Sequence, residues 1–102
     1  METCKIVFTP KAEDDLREIF LYLSEYSLNA ADMQVEKILN KIDMLKLFPR
    51  MGRVVSDFGN DKLRELPIGV YLVAYYIVSD RQIDIITLHH SARPGKYIFG
   101  ES

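Results

Sequence analysis

The chain has 102 residues, enough for one domain and too few for two, so we expect a single domain over residues 1–102. Hydrophobic residues make up 48% and charged residues 27%, which is typical of a globular protein. A net charge of −2 argues against a protein held on nucleic acid mainly by phosphate contacts. There is no run of about 18 apolar residues and no signal-peptide pattern, and Cys4 is the single cysteine. These features predict a cytoplasmic protein without a membrane segment or an internal disulfide.

Charge is unevenly divided between the two parts of the chain. Residues Met1–Leu45 carry five basic and nine acidic side chains, a net of −4. Residues Lys46–Ser102 carry eight basic and six acidic side chains, a net of +2. Ordinary scatter accounts for this difference as readily as function does. If the protein has an anionic partner, that partner should contact the second part.

The first elements are a strand and a helix. Cys4–Phe8 is apolar and predicts a short strand. Thr9 followed by Pro10 predicts a helix start, because the hydroxyl can cap the helix and proline needs no hydrogen bond at the first helical position. We expect this helix to run from Pro10 to about Tyr26. Its buried stripe has the three-and-four spacing of Ala12, Leu16, Ile19, Phe20 and Leu23.

A second helix follows after a brief connection. Asn29 is the predicted N-cap, the helix should reach about Leu47, and Pro49 should end it. So short a connection predicts an antiparallel helical hairpin. The apolar stripe of this helix comprises Ala31, Val35, Ile38, Leu39, Ile42 and Leu45.

The second part of the chain is predicted to form a loop and three strands. Glycines and asparagine predict a loop, and the strands that follow are rich in apolar and β-branched residues. The central strand is almost wholly apolar, which predicts that both of its faces are covered. The segments are a loop over Arg50–Asn60, a strand over Lys62–Leu66 that stops at Pro67, a strand over Val70–Val78, a turn over Ser79–Gln82 and a strand over Ile83–His89. The order β-α-α-β-β-β predicts an α+β fold, with the hairpin on one face of a mainly antiparallel sheet.

The residues suggest few catalytic or metal sites. No zinc spacing and no phosphate-binding glycine loop is present, so we expect no metal and no cofactor. Asp14 and Asp15 form the one carboxylate pair, and solvation on a helix face is their expected role. The C-terminal stretch is richer, because imidazole, guanidinium, ammonium and phenol groups there could bind a phosphodiester and move protons. These groups belong to His89, His90, Arg93, Lys96 and Tyr97.

Two further groups of residues are candidates for contacts. Arg64 lies in a strand, where an arginine is commonly an ion-pair or rim residue, and a neighbouring strand could bring it near Arg93 to form an anion site. Four apolar residues lie outside the two helical stripes and predict either an interface with a partner or homodimer packing. They are Leu21, Tyr22, Met33 and Met44.

Several short segments, taken in order, resemble those of a known protein family. The resemblance depends on the order and spacing of short strings over nearly the whole chain. The segments Leu63–Tyr71, which reads Arg-Glu-Leu-Pro-X-Gly-X-Tyr after its first leucine, and His90–Arg93 are the most specific. The other matching segments are Phe8–Ala12, Asp15–Ile19, Phe48–Arg53 and Ile83–Ile86.

These segments resemble the ParE-like toxins of the RelE/ParE superfamily, and the resemblance implies a fold and a set of partners. It implies a helical hairpin on an antiparallel sheet, a role of the kind known as plasmid stabilization, and a cognate antitoxin that wraps the toxin. That antitoxin would have a DNA-binding part of the ribbon-helix-helix or a similar type. ParE-like toxins are associated with poisoning DNA gyrase, whereas their RelE-like relatives cleave mRNA on the ribosome.

The acidic balance of this chain favours the gyrase branch, because docking on RNA depends on neutralising phosphates. In the alternative, a ribonuclease, the cleavage set would be Arg64, His90, Arg93 and Tyr97, with His89 as a second possible base. The target-binding candidates are Arg64, His90, Arg93, Lys96 and Tyr97, and the antitoxin-binding candidates are the four apolar residues above. Neighbouring strand residues point to opposite faces, so at most one of the two histidines can face such a site. A third hypothesis is that the protein is a toxin-like binding module without activity.

Overall fold

The chain folds into a helical hairpin packed on a five-stranded sheet in the computed structural model, which describes residues 4–55 and 60–91. The sheet order is β1-β5-β4-β3-β2, with β1 parallel to β5 and the other neighbours antiparallel. The predicted α+β class is confirmed. The elements are β1 (Lys5–Phe8), α1 (Pro10–Ser24), α2 (Leu28–Asp43), a 3-10 turn (Met44–Lys46), β2 (Arg53–Val54), β3 (Leu63–Ile68), β4 (Tyr71–Ser79) and β5 (Gln82–His90).

Side-chain caps set the start of both helices. The Thr9 hydroxyl accepts a hydrogen bond from the Ala12 N–H at 3.1 Å, so the predicted cap of α1 is confirmed. The predicted cap of α2, Asn29, is wrong. Ser27 is extended and its hydroxyl accepts from the Ala30 N–H at 3.1 Å, which starts the helix at Leu28. Either residue type can cap, and only the backbone conformation decides between neighbouring candidates.

The prediction for the loop after Pro49 missed a strand. Arg53 and Val54 form β2 and pair with Glu65 and Arg64 of β3. A two-residue strand leaves no periodic pattern, because its pairing depends on a neighbour distant in sequence.

The prediction that the strand beginning at Lys62 stops at Pro67 is also wrong, because the corresponding strand, β3, continues to Ile68. β2 reaches only Arg64 and Glu65, so β3 is an edge strand at Pro67, where a missing N–H is tolerated.

β4 lies between β3 and β5, as its apolar sequence predicts. Alternate residues of β4 belong to the hydrophobic core that the helices cover. The opposite face is covered in part: Ala74 is buried, Leu72 and Tyr76 are half-buried, and Val78 is exposed. The core residues of β4 are Tyr71, Val73, Tyr75 and Ile77.

The helices contribute two unequal stripes to the core. Ile38, Ile42 and Leu45 are buried, whereas Leu16 and Ile19 of α1 are half-buried against the same cluster. The prediction that Leu39 belongs to the buried stripe is wrong, since it is 39% exposed. Leu39 lies about 100° around the helix from Ile38, just outside the seam that faces the sheet.

Candidate functional site

Arg64 donates hydrogen bonds to backbone carbonyl oxygens of the neighbouring loop segments. Its Nε donates to the Asp61 carbonyl oxygen at 2.8 Å. Its Nη1 donates to the carbonyl oxygens of Gly52 at 2.8 Å and Arg50 at 3.2 Å. No carboxylate of the described residues is among these partners, so the hydrogen bonds of Arg64 in the described structure go to backbone carbonyl oxygens. Its guanidinium holds the 50–52 and 60–61 backbone segments together.

Tyr75 supports the same loop from the core side. Its ring is fully buried, and its hydroxyl donates to the Pro49 carbonyl oxygen at 2.7 Å and accepts from the Gly52 N–H at 2.9 Å. Burial raises the pKa of Tyr75 above its ordinary value of 10.0, while the Gly52 N–H and the nearby Arg64 and Arg50 oppose this. The sequence offered no signal for this role, because tyrosines are common in strands.

The two histidines have different environments. His89 is buried and His90 is exposed, as the alternation of a strand predicts. His90 pairs with Tyr71 on β4, and the two ring centroids are 5.7 Å apart at an interplanar angle of 73°. Of the two imidazoles, His90 is therefore the one placed to meet a partner.

Arg64 and His90 are not brought together. Arg64 pairs with Tyr75 and His90 pairs with Tyr71, so they lie on the two strands that flank β4. This register puts them four residues apart along the sheet, roughly 13 Å, and two strands apart across it, roughly 10 Å. The guanidinium is also held on the loop carbonyls. The remaining candidates, Arg93, Lys96 and Tyr97, lie outside the described residues.

Asp15 has a structural role that the sequence did not indicate. Asp14 is exposed and pairs with Arg17 at 2.6 Å, as a solvated carboxylate would. Asp15 instead accepts hydrogen bonds from the Thr87 hydroxyl at 2.5 Å and the Leu88 N–H at 3.1 Å. The prediction that both carboxylates are merely solvated is thus wrong for Asp15.

All four apolar residues proposed as contact candidates are exposed. The exposed fractions are 54% for Leu21, 60% for Tyr22, 64% for Met33 and 42% for Met44. The sequence analysis did not single out other exposed apolar residues that lie close to these four along the chain. These are Tyr26 and Leu28 beside the helix–helix connection, and Leu47 and Phe48 after the 3-10 turn.

Tyr22 and Tyr26 form an edge-to-face pair, with ring centroids 5.5 Å apart. Tyr26 raises the pKa of Tyr22 above its ordinary value, and Glu25 and Tyr71 act in the same direction. A cluster of exposed rings next to carboxylates therefore lies at the C-terminal end of α1.

Part of the charged surface of the described residues is paired. Five lysine or arginine side chains lie within 4.0 Å of a carboxylate. Among the residues that the structure describes, no group of three or more histidine, cysteine or acidic residues is arranged to hold a metal ion. The described helices are also too short or too polar to cross a bilayer. The pairs are Lys11–Asp15, Arg17–Asp14, Lys46–Asp43, Arg50–Asp61 and Arg53–Glu65.

Comparison with known proteins assigns the family. The family model described as the ParE toxin of the type II toxin–antitoxin system parDE matches residues 6–95, from β1 to beyond β5. The chain belongs to the ParE toxin family. The sequence resemblance to ParE-like toxins is thereby confirmed, and this ParE-family chain is a toxin of the type II toxin–antitoxin class, which implies an antitoxin partner.

One curated relative and one solved structure are similar to this ParE-family toxin. Toxin RelE2 of Caulobacter vibrioides is 30% identical over 89 residues, covering 87% of this chain and 97% of the relative. A solved structure of the chromosomal ParDE toxin–antitoxin system from P. aeruginosa has the same fold, with a TM-score of 0.69 at 18% identity over 85% of this chain and 95% of that chain. Arg64, His90 and Arg93 fall inside the segment matched to the family, whereas Lys96 and Tyr97 lie beyond it.

Proposed function

We propose that this ParE-family toxin inhibits growth by poisoning DNA gyrase in the cytoplasm and that a cognate antitoxin neutralises it. The observation that carries the choice of target is the arrangement of Arg64 and His90. An RNA-cleaving site needs a base and a cationic clamp around one phosphate. Here His90 and Arg64 lie on the two strands that flank β4, one on each side, and the Arg64 guanidinium is bonded to carbonyl oxygens.

The charge on the sheet also favours gyrase over the ribosome. On the face opposite the helices, the strands carry Lys5 and Arg53 together with Asp84 and Glu65. The register pairs Arg53 with Glu65, whereas Lys5 pairs with Gln82, two residues before Asp84. Two cations on this face are thus matched by two carboxylates, and Arg53 is bonded to Glu65 at 3.3 Å. A ribosome-docked enzyme gains its affinity from uncompensated cations that neutralise phosphates. The described strands offer no such surplus there.

A ribosome-dependent mRNA interferase is the second candidate. It is favoured by the similarity to a relative named Toxin RelE2 and by the exposure of His90 at the end of β5. In that case the cleavage set would be Arg64, His90, Arg93 and Tyr97, and Arg64 would have to exchange its carbonyl partners for phosphate.

For the antitoxin, we propose a ribbon-helix-helix or similar DNA-binding type whose toxin-binding segment covers the exposed apolar residues of the helices. Leu21, Tyr22, Met33 and Met44 are all more than two-fifths exposed, which is costly for a protein that works alone in water. The product of a gene adjacent to the toxin gene is the natural test partner. Co-expression should give a stable complex, and a failure to co-purify with either neighbour counts against this assignment. Light scattering on the isolated chain separates this from homodimer packing.

Induced expression in bacteria tests the target. We expect loss of supercoiling by purified gyrase and DNA damage in cells, with no new 5′ ends in a translated reporter mRNA. A His90→Ala variant should remain toxic even if its target contact is weakened, because gyrase poisoning assigns no proton transfer to the imidazole. Codon-phased cuts that disappear in His90→Ala would establish the ribonuclease instead. Co-expression of the antitoxin is the control for both readouts.

A further inference from the structure

The exposed face of α1 combines apolar and acidic residues in one line. Glu18, Leu21, Tyr22 and Glu25 follow one another at three-and-four spacing, which places them on one side of the helix. All four are exposed. This stripe faces away from the core residues of α1, so it is available to a partner.

The stripe borders a cleft at the open end of the β4–β5 hairpin, opposite its turn. The cleft has a volume of about 420 Å³. Glu18 and Tyr22 of α1 form one side, and Tyr71 and His90 of the sheet form another. Ile19 and Leu88 add apolar surface. Asp15 and His89 complete the lining, so the cleft presents two carboxylates, two phenol rings and two imidazoles beside an apolar wall.

The charges around the cleft leave an acidic surplus. From Pro10 to Asp43 the helical hairpin has four basic and eight acidic side chains. Lys11 and Arg17 are already paired with Asp15 and Asp14. Glu18 and Glu25 have no ion pair or side-chain hydrogen bond with the described residues. Among the residues that the structure describes, none therefore compensates their negative charge.

We propose that this cleft binds an arginine or lysine side chain of the antitoxin, carried on a basic segment that lies along the stripe of α1. The inference rests on the proposed antitoxin complex and names the chemistry of the segment that binds there. Glu18 pairs with the cation, and the faces of Tyr22 and Tyr71 favour a cation through their quadrupoles. Leu21 contacts the apolar part of the same segment. A nucleic acid is disfavoured on this surface, because phosphates and carboxylates repel.

The experiment measures the dissociation constant of the toxin–antitoxin complex, using the antitoxin encoded by the adjacent gene, at low and at high salt. Glu18→Gln should weaken the complex roughly tenfold at low salt, the size expected for one charge-assisted hydrogen bond. The loss should shrink at high salt, because salt screens the pair in the wild type. Tyr22→Leu, which keeps apolar area and removes the ring, should also weaken binding. Asp80→Asn is the matched control, since Asp80 lies in the turn at the far end of the β4–β5 hairpin.

The outcomes separate the two proposals. If the wild-type toxin forms no complex with the antitoxin, the proposed function fails and this inference fails with it. If the complex forms but Glu18→Gln leaves its affinity unchanged or strengthens it, the inference alone is overturned. Glu18 is exposed, so its variants should keep the melting temperature of the wild type, which circular dichroism checks. Weakening by Glu18→Gln and not by Asp80→Asn, with the expected salt dependence, supports the inference.

Discussion

The carboxylate of Asp15 on α1 accepts a hydrogen bond from the backbone N–H of Leu88 on β5, with 3.1 Å between the two atoms. The parallel partner of β5, β1, ends at Phe8 opposite Ile85. Beyond that point the described chain gives β5 no strand on this side, and Asp15 supplies the acceptor. The same oxygen accepts from the hydroxyl of Thr87. A helix side chain thus replaces a strand at the sheet edge.

Replacing Asp15 with Ala should lower the free energy of unfolding by about 1–3 kcal/mol, because the Leu88 N–H and the Thr87 hydroxyl lose their acceptor. Urea unfolding of the purified chain measures this. Asp14→Ala is the control, and its loss should stay below about 1 kcal/mol, since its pair with Arg17 is exposed. Equal losses for the two variants would show that the contact to β5 adds nothing to stability.

Tyr75→Phe should cost about 1–2 kcal/mol near neutral pH, because the Pro49 carbonyl and the Gly52 N–H lose the hydroxyl that bonds both. The cost should also depend on pH. Burial raises the pKa of Tyr75 in the folded protein, so its contribution is complete below the ordinary value of 10.0 and is lost as pH rises through the folded pKa. The stability difference between wild type and variant should therefore narrow from about pH 9 upwards. A difference that stays constant to high pH contradicts this account.

Gly52→Ala should be more damaging than Gly69→Ala. A Cβ on Gly52 would lie 2.6 Å from the Glu65 carbonyl oxygen and 2.7 Å from the Tyr75 ring, and neither neighbour can move freely. Gly69 has open space but a φ of 61°, so an alanine there costs about 1 kcal/mol of backbone strain. Thermal unfolding ranks the two variants. The reverse order would mean that the loop at Gly52 shifts at little cost.

Arg64 and Arg93 should differ in their effects. Arg64→Ala should lower the melting temperature as well as toxicity, because three carbonyl oxygens lose their donor. Arg93→Ala should weaken toxicity with little change in melting temperature. Growth after induction and circular dichroism give the two readouts. If Arg93→Ala unfolds the protein, Arg93 belongs to a buried ion pair, whose disruption costs about 3–5 kcal/mol.

The local pattern of the sequence predicted most of the fold. Thr9 and Pro10 predicted the start of α1, and the apolar run over Val70–Val78 and the polar turn after it predicted the β4–β5 hairpin. Leu21 and Tyr22, which lie outside the helical stripes, are exposed, and their contact with an antitoxin stays a prediction. Such features depend on residues within a few positions of one another, where backbone geometry sets the periodicity.

Contacts between residues distant in sequence were decided only by the tertiary structure. Asp15 meets Leu88 across 73 positions, and Tyr75 meets Pro49 across 26. β2 exists only because β3 passes beside it. The ribonuclease alternative placed Arg64 and His90 in one cleavage set, yet the register of β3, β4 and β5 separates the two residues. The sequence by itself determined the two helices, the longer strands and most of the apolar faces. The choice of polar partners depended on how those segments pack, because a hydrogen bond requires two groups within about 3 Å and no local pattern specifies that distance.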